Sequence, residues 1–130
     1  MAEAKNHLST EQVRVIDALT KLSPRQWEKK CEQILRANGF SVWRDEDRPS
    51  SHAGANAMRR AGFPDFIARR FRAGECEMVL LEAKTGRAVL TGAQREWIEA
   101  AEATPGMRGI VARPADFFEV CRELGGIEPE

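Results

Sequence analysis

Residues 62–84 read GFPDFIARRFRAGECEMVLLEAK, and this stretch decides the fold of the chain. Two apolar runs flank the turn residues Ala73 and Gly74, which is the pattern of a β-hairpin. We therefore expect antiparallel strands at residues 65–70 and 77–84. Side chains alternate between the two faces of a strand, so Glu82 and Lys84 are expected on the same face.

Charged residues stand at the ends of these two predicted strands, where burial is costly without a partner. Glu82 and Lys84 end the second strand, and Asp65 begins the first, so a second carboxylate should lie close to them. Two carboxylates, helped by the carbonyl oxygen of Ala83, suit Mg²⁺, which binds few protein groups and keeps several waters. Lys84 beside such a metal could stabilise the charge on a phosphate under attack. The hairpin thus predicts a site for metal-assisted phosphodiester hydrolysis.

Each of these signals also has an ordinary structural interpretation. A Pro-Asp pair is common in turns, and Glu-x-Lys is common as an ion pair on an exposed edge strand. Their joint position on adjacent strands of one hairpin, after a basic loop, favours the functional interpretation.

Length and composition limit the classes of protein to consider. The chain has 130 residues, zero formal net charge, 42% hydrophobic residues and 31% charged residues, as expected of one globular domain. Zero net charge argues against a protein that coats nucleic acid nonspecifically. The three cysteines are far apart and include no Cys-x-x-Cys pair, so we expect reduced core thiols rather than a disulfide framework or a zinc site. We expect no signal peptide, no membrane partner and no organic cofactor, and hence a cytoplasmic protein.

Three capping boxes predict helices. Ser9, Ser23 and Thr91 each precede a glutamine by three residues, and apolar residues then recur at helical spacing. The first helix should reach about residue 20, and the second should end at residues 38–39. A last helix is expected from Pro114 to about residue 124. The expected buried positions are Trp27, Cys31, Ile34 and Leu35 in the second helix, Trp97, Ile98 and Ala101 in the third, and Phe117, Val120, Cys121 and Leu124 in the last.

Two more apolar runs predict strands. Residues 40–44 alternate as a strand does, and residues 109–112 are short and apolar, as expected of an inner strand. The resulting order predicts an α/β (α+β) fold with a mixed central sheet flanked by helices. Residues 1–22 would add a tail and an extra N-terminal helix to a main domain formed by residues 23–130.

Residues 45–61 have no hydrophobic periodicity and are rich in Ser, Ala, Gly, Asn and Arg. Between residues 44 and 72 the chain has seven arginines against four acidic residues. A loop this long is either functional or irregular surface structure, so ordering on a polyanion and a surface loop without a role both stay open.

Several motifs of the chain, taken together, resemble a known family. Gly62-Phe63-Pro64-Asp65, Glu82-Ala83-Lys84 and Gly86-x-x-x-Leu90-x-x-x-Gln94-x-x-Trp97 together resemble the PD-(D/E)xK nuclease superfamily. Within it they are most similar to the virus-type replication-repair nuclease (VRR-NUC) domain. The segment Val111-Ala112-Arg113-Pro114 matches a family strand that ends in arginine, so the resemblance spans roughly residues 23–124. It implies a restriction-endonuclease-like αβββαβ core.

The resemblance also implies a function. It implies a DNA nuclease that depends on Mg²⁺, with Mn²⁺ as a substitute, in which Asp65 and Glu82 are metal ligands and Lys84 is the catalytic lysine. Family members often have a glutamate on the first core helix, for which Glu28 is the best match and Glu32 the reserve. Gln94 matches a glutamine that lies close to the active site in relatives.

Small stand-alone members of this family resemble Holliday-junction resolvases and act as homodimers, whereas domains fused to larger proteins act on flaps. Only a short helix is added here, so the resemblance implies a stand-alone, phage-like enzyme of replication, recombination or repair. Such an enzyme would act in the cytoplasm of a bacterial or phage-infected cell. The substrate structure stays open, because the segment at residues 45–61 is longer and richer in arginine than the family pattern implies.

Backbone phosphates should be bound by arginines, with an affinity that falls steeply with salt. The candidate contacts are Arg59, Arg60, Arg69, Arg70 and Arg87, of which only some can lie near the groove, because neighbours on a strand face opposite ways. Two alternatives to a DNA nuclease remain, namely a catalytically silent nuclease-fold module that binds nucleic acid or protein, and an RNA-directed nuclease. The silent module is disfavoured because Asp65, Glu82 and Lys84 are all present.

Overall fold

The computed structural model describes residues 7–44 and 62–130. Over these residues the chain is a mixed α/β structure with a four-stranded mixed sheet and four α-helices. The elements are α1 (Thr10–Thr20), α2 (Pro24–Ala37), β1 (Ser41–Arg44), β2 (Phe66–Arg72), β3 (Glu75–Ala83), α3 (Gly92–Glu102), β4 (Met107–Ala112) and α4 (Phe117–Leu124), the last preceded by a 3₁₀ turn at Pro114–Asp116. The predictions for residues 45–61, including Arg59 and Arg60, lie outside the described residues.

The sheet has the strand order β1-β2-β3-β4, with β1, β2 and β3 antiparallel and β4 parallel to β3. Arg72 pairs with Glu75, which leaves Ala73 and Gly74 as a two-residue loop. Both loop residues have positive φ, at 56° and 82°, as a type I′ hairpin turn requires. The predicted hairpin is therefore confirmed, and it forms the centre of the described sheet.

Helices cover both faces of the sheet. On one face, Phe66, Ala68 and Leu81 pack in a large core with α2 and α4. On the other face, Leu80 packs beneath Ile98 and Ala101 of α3. The alternation of side chains along β2 and β3 divides their apolar residues between these two cores.

The three predicted capping boxes are confirmed at Ser9, Ser23 and Thr91. At each, the hydroxyl accepts the backbone N–H of the glutamine three residues later, and that glutamine side chain accepts the backbone N–H of the capping residue. These reciprocal bonds satisfy N–H groups that would otherwise lack partners at a helix start. None of the helices within the described residues has the length and apolar composition needed to cross a bilayer.

The position of β4 differs from the prediction of an inner strand. In the described sheet β4 is an edge strand that pairs only with β3. Its apolar sequence has another cause, because Ile110 and Ala112 face the large core while Val111 packs on the side of α3. The strand is apolar because both of its faces are covered, although only one of its edges is paired in the described sheet.

Two predicted core residues are exposed. Trp97 is 40% exposed. Ile98 and Ala101 of α3 point towards the sheet, and the side chain of Trp97, one residue before Ile98, points away from it round the helix. Its ring instead packs edge-on against Phe63, with 5.1 Å between the ring centroids. Cys76 is exposed near the hairpin turn, whereas Cys31 and Cys121 are buried free thiols as expected.

Candidate active site

Asp65 and Glu82 meet where the two central strands end. Phe66 pairs with Leu81, so the residue before β2 lies beside Glu82 near the end of β3. The backbone N–H of Asp65 donates to Glu82 Oε1 at 3.2 Å, and the backbone N–H of Ala83 donates to Asp65 Oδ2 at 2.9 Å. Each carboxylate is thus oriented by the backbone next to the other, as the sequence predicted for adjacent strands.

Lys84 is the cation of this cluster. Its Nζ lies 3.7 Å from Glu82 Oε2, and its side chain is only 15% exposed. The backbone N–H of Lys84 donates to the carbonyl oxygen of Ala112 at 3.0 Å, and the indole N–H of Trp27 donates to the same oxygen at 2.9 Å. Strand β4 therefore holds the backbone of Lys84, and Trp27 of α2 binds the same carbonyl group of β4.

Gln94 joins the cluster from α3 and has two roles. Its Oε1 accepts the backbone N–H of Thr91 in the capping box, and its Nε2 donates to Glu82 Oε2 at 2.9 Å. The start of α3 lies this close because Gly62 has no side chain, since a Cβ there would be 2.4 Å from Ala93. The glycine of the Gly-Phe-Pro-Asp motif also has a φ of +75°, which L side chains rarely adopt.

The electrostatics of the cluster favour a bound cation. Burial and, secondly, the charge of Asp65 raise the pKa of Glu82 to about 7, while Lys84 acts in the opposite direction. Glu82 is only 4% exposed, so its charge has little solvation by water. A divalent cation would relieve this repulsion, and carboxylate oxygens keep lone pairs for a metal beside their hydrogen bonds.

The donor set therefore fits Mg²⁺, which is commonly bound by one or two carboxylates together with substrate phosphates. Within the described residues no His, Cys, Asp or Glu joins the pair to make a group of three that could hold a metal. The expected ligand role of the Ala83 carbonyl stays a prediction, while the backbone N–H of Ala83 orients Asp65.

Glu28 and Glu32 both face Arg44 of β1. Glu28 lies 3.7 Å and Glu32 3.2 Å from the Arg44 guanidinium, and Glu32 also binds Arg36 at 2.9 Å. The pKa of Cys31 is raised well above its usual value, first by burial and then by the charges of Asp65 and Glu28. Asp65 and Glu28 thus both act on Cys31, and the order of candidates implied by the resemblance, Glu28 before Glu32, stays a prediction.

The three described arginines with a predicted phosphate contact have different surroundings. Arg87 is exposed on the connection between Lys84 and α3. Arg69 is exposed on β2 and lies over the rings of Trp43 and Phe71.

Arg70 differs in its surroundings from the other two arginines, and its phosphate contact stays a prediction. It faces the large core, where Nε donates to Glu77 at 2.7 Å and Nη1 donates to the carbonyl oxygens of Asn38 and Leu124 at 2.7 and 2.9 Å. Its guanidinium also lies 4.2 Å from the centroid of the Phe40 ring. Because these contacts occupy its donors, Arg70 holds the ends of α2 and α4 to the sheet.

Two features of the site region were missed by sequence reasoning. The sequence placed Arg44 on a strand face but gave no signal that it would bridge Glu28 and Glu32. The alternation of residues 40–44 did place Trp43 on the face opposite Arg44, but its contact with Arg69 depends on strand pairing. Comparisons of the chain with models of protein families, with curated proteins and with solved structures give no match.

Proposed function

We propose that this protein is a metal-dependent DNA endonuclease that hydrolyses phosphodiester bonds in branched DNA, such as Holliday junctions, during replication, recombination or repair. The observation that carries the proposal is the convergence of Asp65, Glu82, Lys84 and Gln94 at one end of the sheet. The motifs that resemble VRR-NUC domains contain all four residues. The same proposal includes a restriction-endonuclease-like core, to which the observed order of helices and strands corresponds.

The residues of the site have distinct proposed roles. Asp65 and Glu82 would hold Mg²⁺, or Mn²⁺ in its place, which when bound supplies charge neutralisation at the phosphate and a more acidic water. Lys84 would donate a hydrogen bond to the attacking water or to a phosphate oxygen. Gln94 would keep Glu82 in place, because its amide donates to a carboxylate oxygen and is itself fixed by the helix cap.

A homodimer is part of the proposal, because a four-way junction presents two symmetry-related positions for cutting. Helix α1 is the candidate contact. It lies outside the core that resembles the family, and Val13 and Val15 on it are exposed. Sedimentation of the native protein and of Val13→Glu would test this contact, since a dimer formed through α1 should dissociate in the variant.

The activity is tested with labelled linear duplex, single-stranded, flap and four-way-junction DNA. Each substrate is incubated with Mg²⁺, with Mn²⁺ or with EDTA, using native protein, Lys84→Ala and Glu82→Gln. We expect cutting that requires the metal and that falls on the order of 100-fold or more in both variants. RNA of the same sequences tests the choice of sugar.

Lys29→Ala is the matched control, because Lys29 is an exposed lysine of α2 to which no role is assigned. It should cut as fast as the native protein. Cutting that survives the combined change of Glu82 and Lys84 would refute the site. Salt-sensitive DNA binding without cutting of any substrate would instead indicate a silent binding module.

A further inference from the structure

The sheet face that contains Glu82 continues beyond the site onto β1 and β2. Side chains of one face alternate along each strand, so Ile67, Arg69 and Phe71 of β2 lie on the same face as Leu80 and Glu82 of β3. Trp43 of β1 pairs with Ile67 and belongs to this face as well. Helix α3 covers this face over Leu80, while Trp43 and Phe71 are 52% and 70% exposed.

Three of these side chains form a continuous surface, called here the stacking surface: Trp43, Arg69 and Phe71. The Arg69 guanidinium lies 5.5 Å from the centroid of the Trp43 ring and 5.8 Å from that of the Phe71 ring. A guanidinium held over aromatic rings keeps N–H groups at its edge for a phosphate. Exposed aromatic rings beside a cation are the components with which proteins bind unpaired nucleotides.

The charge of this face agrees with a polyanionic occupant. Among the side chains that β1, β2 and β3 place on it, Arg69 is the cation and Glu82 the carboxylate. The acidic side chains of Glu75 and Glu77 lie on the opposite face, where Glu77 binds Arg70. A phosphate next to Arg69 would therefore meet no carboxylate from these strands other than that of Glu82 in the site.

The distance to the site is short enough for one nucleic-acid strand. Trp43 pairs with Ile67, and Ile67 pairs with Leu80. Trp43 therefore lies opposite Leu80 at a distance of two strand spacings, and Glu82 is two residues further along β3. Standard strand spacing then gives about 12 Å between the Cα atoms of Trp43 and Glu82. A strand of a few nucleotides covers this distance.

We propose that the stacking surface binds unpaired bases of the substrate, with bases against Trp43 and Phe71 and a phosphate against Arg69. This inference rests on the proposed nuclease function and makes it more specific. The substrate class becomes nucleic acid with a single-stranded segment beside the cut position.

Binding is measured without metal, so that it does not depend on cutting. The probe is fluorescein-labelled oligothymidylate of about 20 nucleotides, titrated in EDTA at about 50 mM salt and followed by fluorescence anisotropy. Trp43→Leu and Phe71→Leu should each weaken binding roughly 5- to 150-fold, which is the usual cost of losing one base-stacking aromatic residue. Arg69→Gln should weaken binding and reduce its dependence on salt.

Ile127→Ala and Arg36→Gln are the matched controls, because they remove an exposed apolar side chain and an exposed arginine elsewhere. Both should bind as the native protein does. A second measurement leaves the stacking surface intact. In Trp97→Phe, the remaining tryptophans are buried Trp27 and exposed Trp43, so quenching of the exposed emission by oligothymidylate reports on Trp43.

The outcomes separate this inference from the proposed function. Weaker binding in the stacking variants of a protein that cuts no DNA would support the surface and refute the nuclease. Full metal-dependent cutting with unchanged binding and no quenching would support the nuclease and overturn the surface. A changed sedimentation coefficient with unchanged oligothymidylate binding would identify a contact between copies of the chain, and that too would overturn the proposal.

Discussion

Replacing Glu82 by glutamine should alter the pH dependence of stability in a direction that the site dictates. Burial and the charge of Asp65 raise the pKa of Glu82 from 4.5 to about 7. Between these two pH values the folded protein holds a proton that the unfolded chain has released. The free energy of unfolding therefore falls as the pH rises through this window, and the contribution is lost above pH 7.

The size of the effect follows from the pKa. A difference of about 2.5 pH units between the folded and unfolded values corresponds to about 3 kcal/mol. Glutamine does not titrate, so Glu82→Gln lacks this loss. The substitution also changes the free energy of unfolding by an amount that does not depend on pH. Beyond that constant, the free energy of unfolding of the variant minus that of the native protein should rise by about 3 kcal/mol between about pH 4 and about pH 8.

The assay is urea unfolding of both proteins in EDTA at several pH values across this range. Glu77→Gln is the matched control, because hydrogen bonding to Arg70 lowers the pKa of Glu77. The native protein gains stability from Glu77 above its unfolded pKa, so this variant should fall relative to the native protein as the pH rises. A pH-independent difference for Glu82→Gln, or one that falls with pH, would show that Glu82 is neither as buried nor as close to Asp65 as described.

Three further predictions concern single residues. Arg70→Ala should lower the free energy of unfolding by about 3 kcal/mol, because the carbonyl groups of Asn38 and Leu124 lose their donor and Glu77 keeps only Arg72. In the same urea assay, Arg87→Ala should change the free energy of unfolding by less than about 0.5 kcal/mol. Gly109→Ala should cost about 1–3 kcal/mol, measured by thermal unfolding, because its Cβ would lie 2.4 Å from a backbone oxygen of α3; an unchanged melting temperature would contradict that packing. Asp65→Asn keeps an oxygen that can accept the backbone N–H of Ala83 but loses the negative charge. Calorimetric titration should therefore show loss of Mn²⁺ binding, with little change in melting temperature. A large drop in melting temperature would indicate a structural role of Asp65 instead.

Much of the fold could be predicted because its signals are local. A capping box spans four residues and fixes a helix start without reference to the rest of the chain. The hairpin is equally local, since a two-residue turn sets the register that brings Asp65 to Glu82. The contact of Gln94 with Glu82 was expected only from the resemblance, because it joins elements that are distant in sequence.

The predictions that differed from the structure depend on distant contacts. The apolar sequence of β4 is the same whether the strand is paired on one edge or two, so composition could not place it at the edge. Arg69 and Arg70 are neighbours in one basic run, and both were candidate phosphate contacts, although strand alternation predicts that only one of them faces a given ligand. The two side chains point to opposite faces of the sheet. The sequence did not indicate that the guanidinium of Arg70 donates hydrogen bonds to the ends of α2 and α4.

The paired position of β3 has a consequence for how the protein can vary. Glu82 lies on a strand with neighbours on both sides, so a shift of its backbone would break two ladders of hydrogen bonds. Trp43 lies on the edge strand β1, which pairs only with β2 in the described sheet. Substitutions in β1 can therefore change which molecule the stacking surface binds, while the residues of the site on β3 keep their positions. Relatives of this chain should differ first in β1 and last in β3.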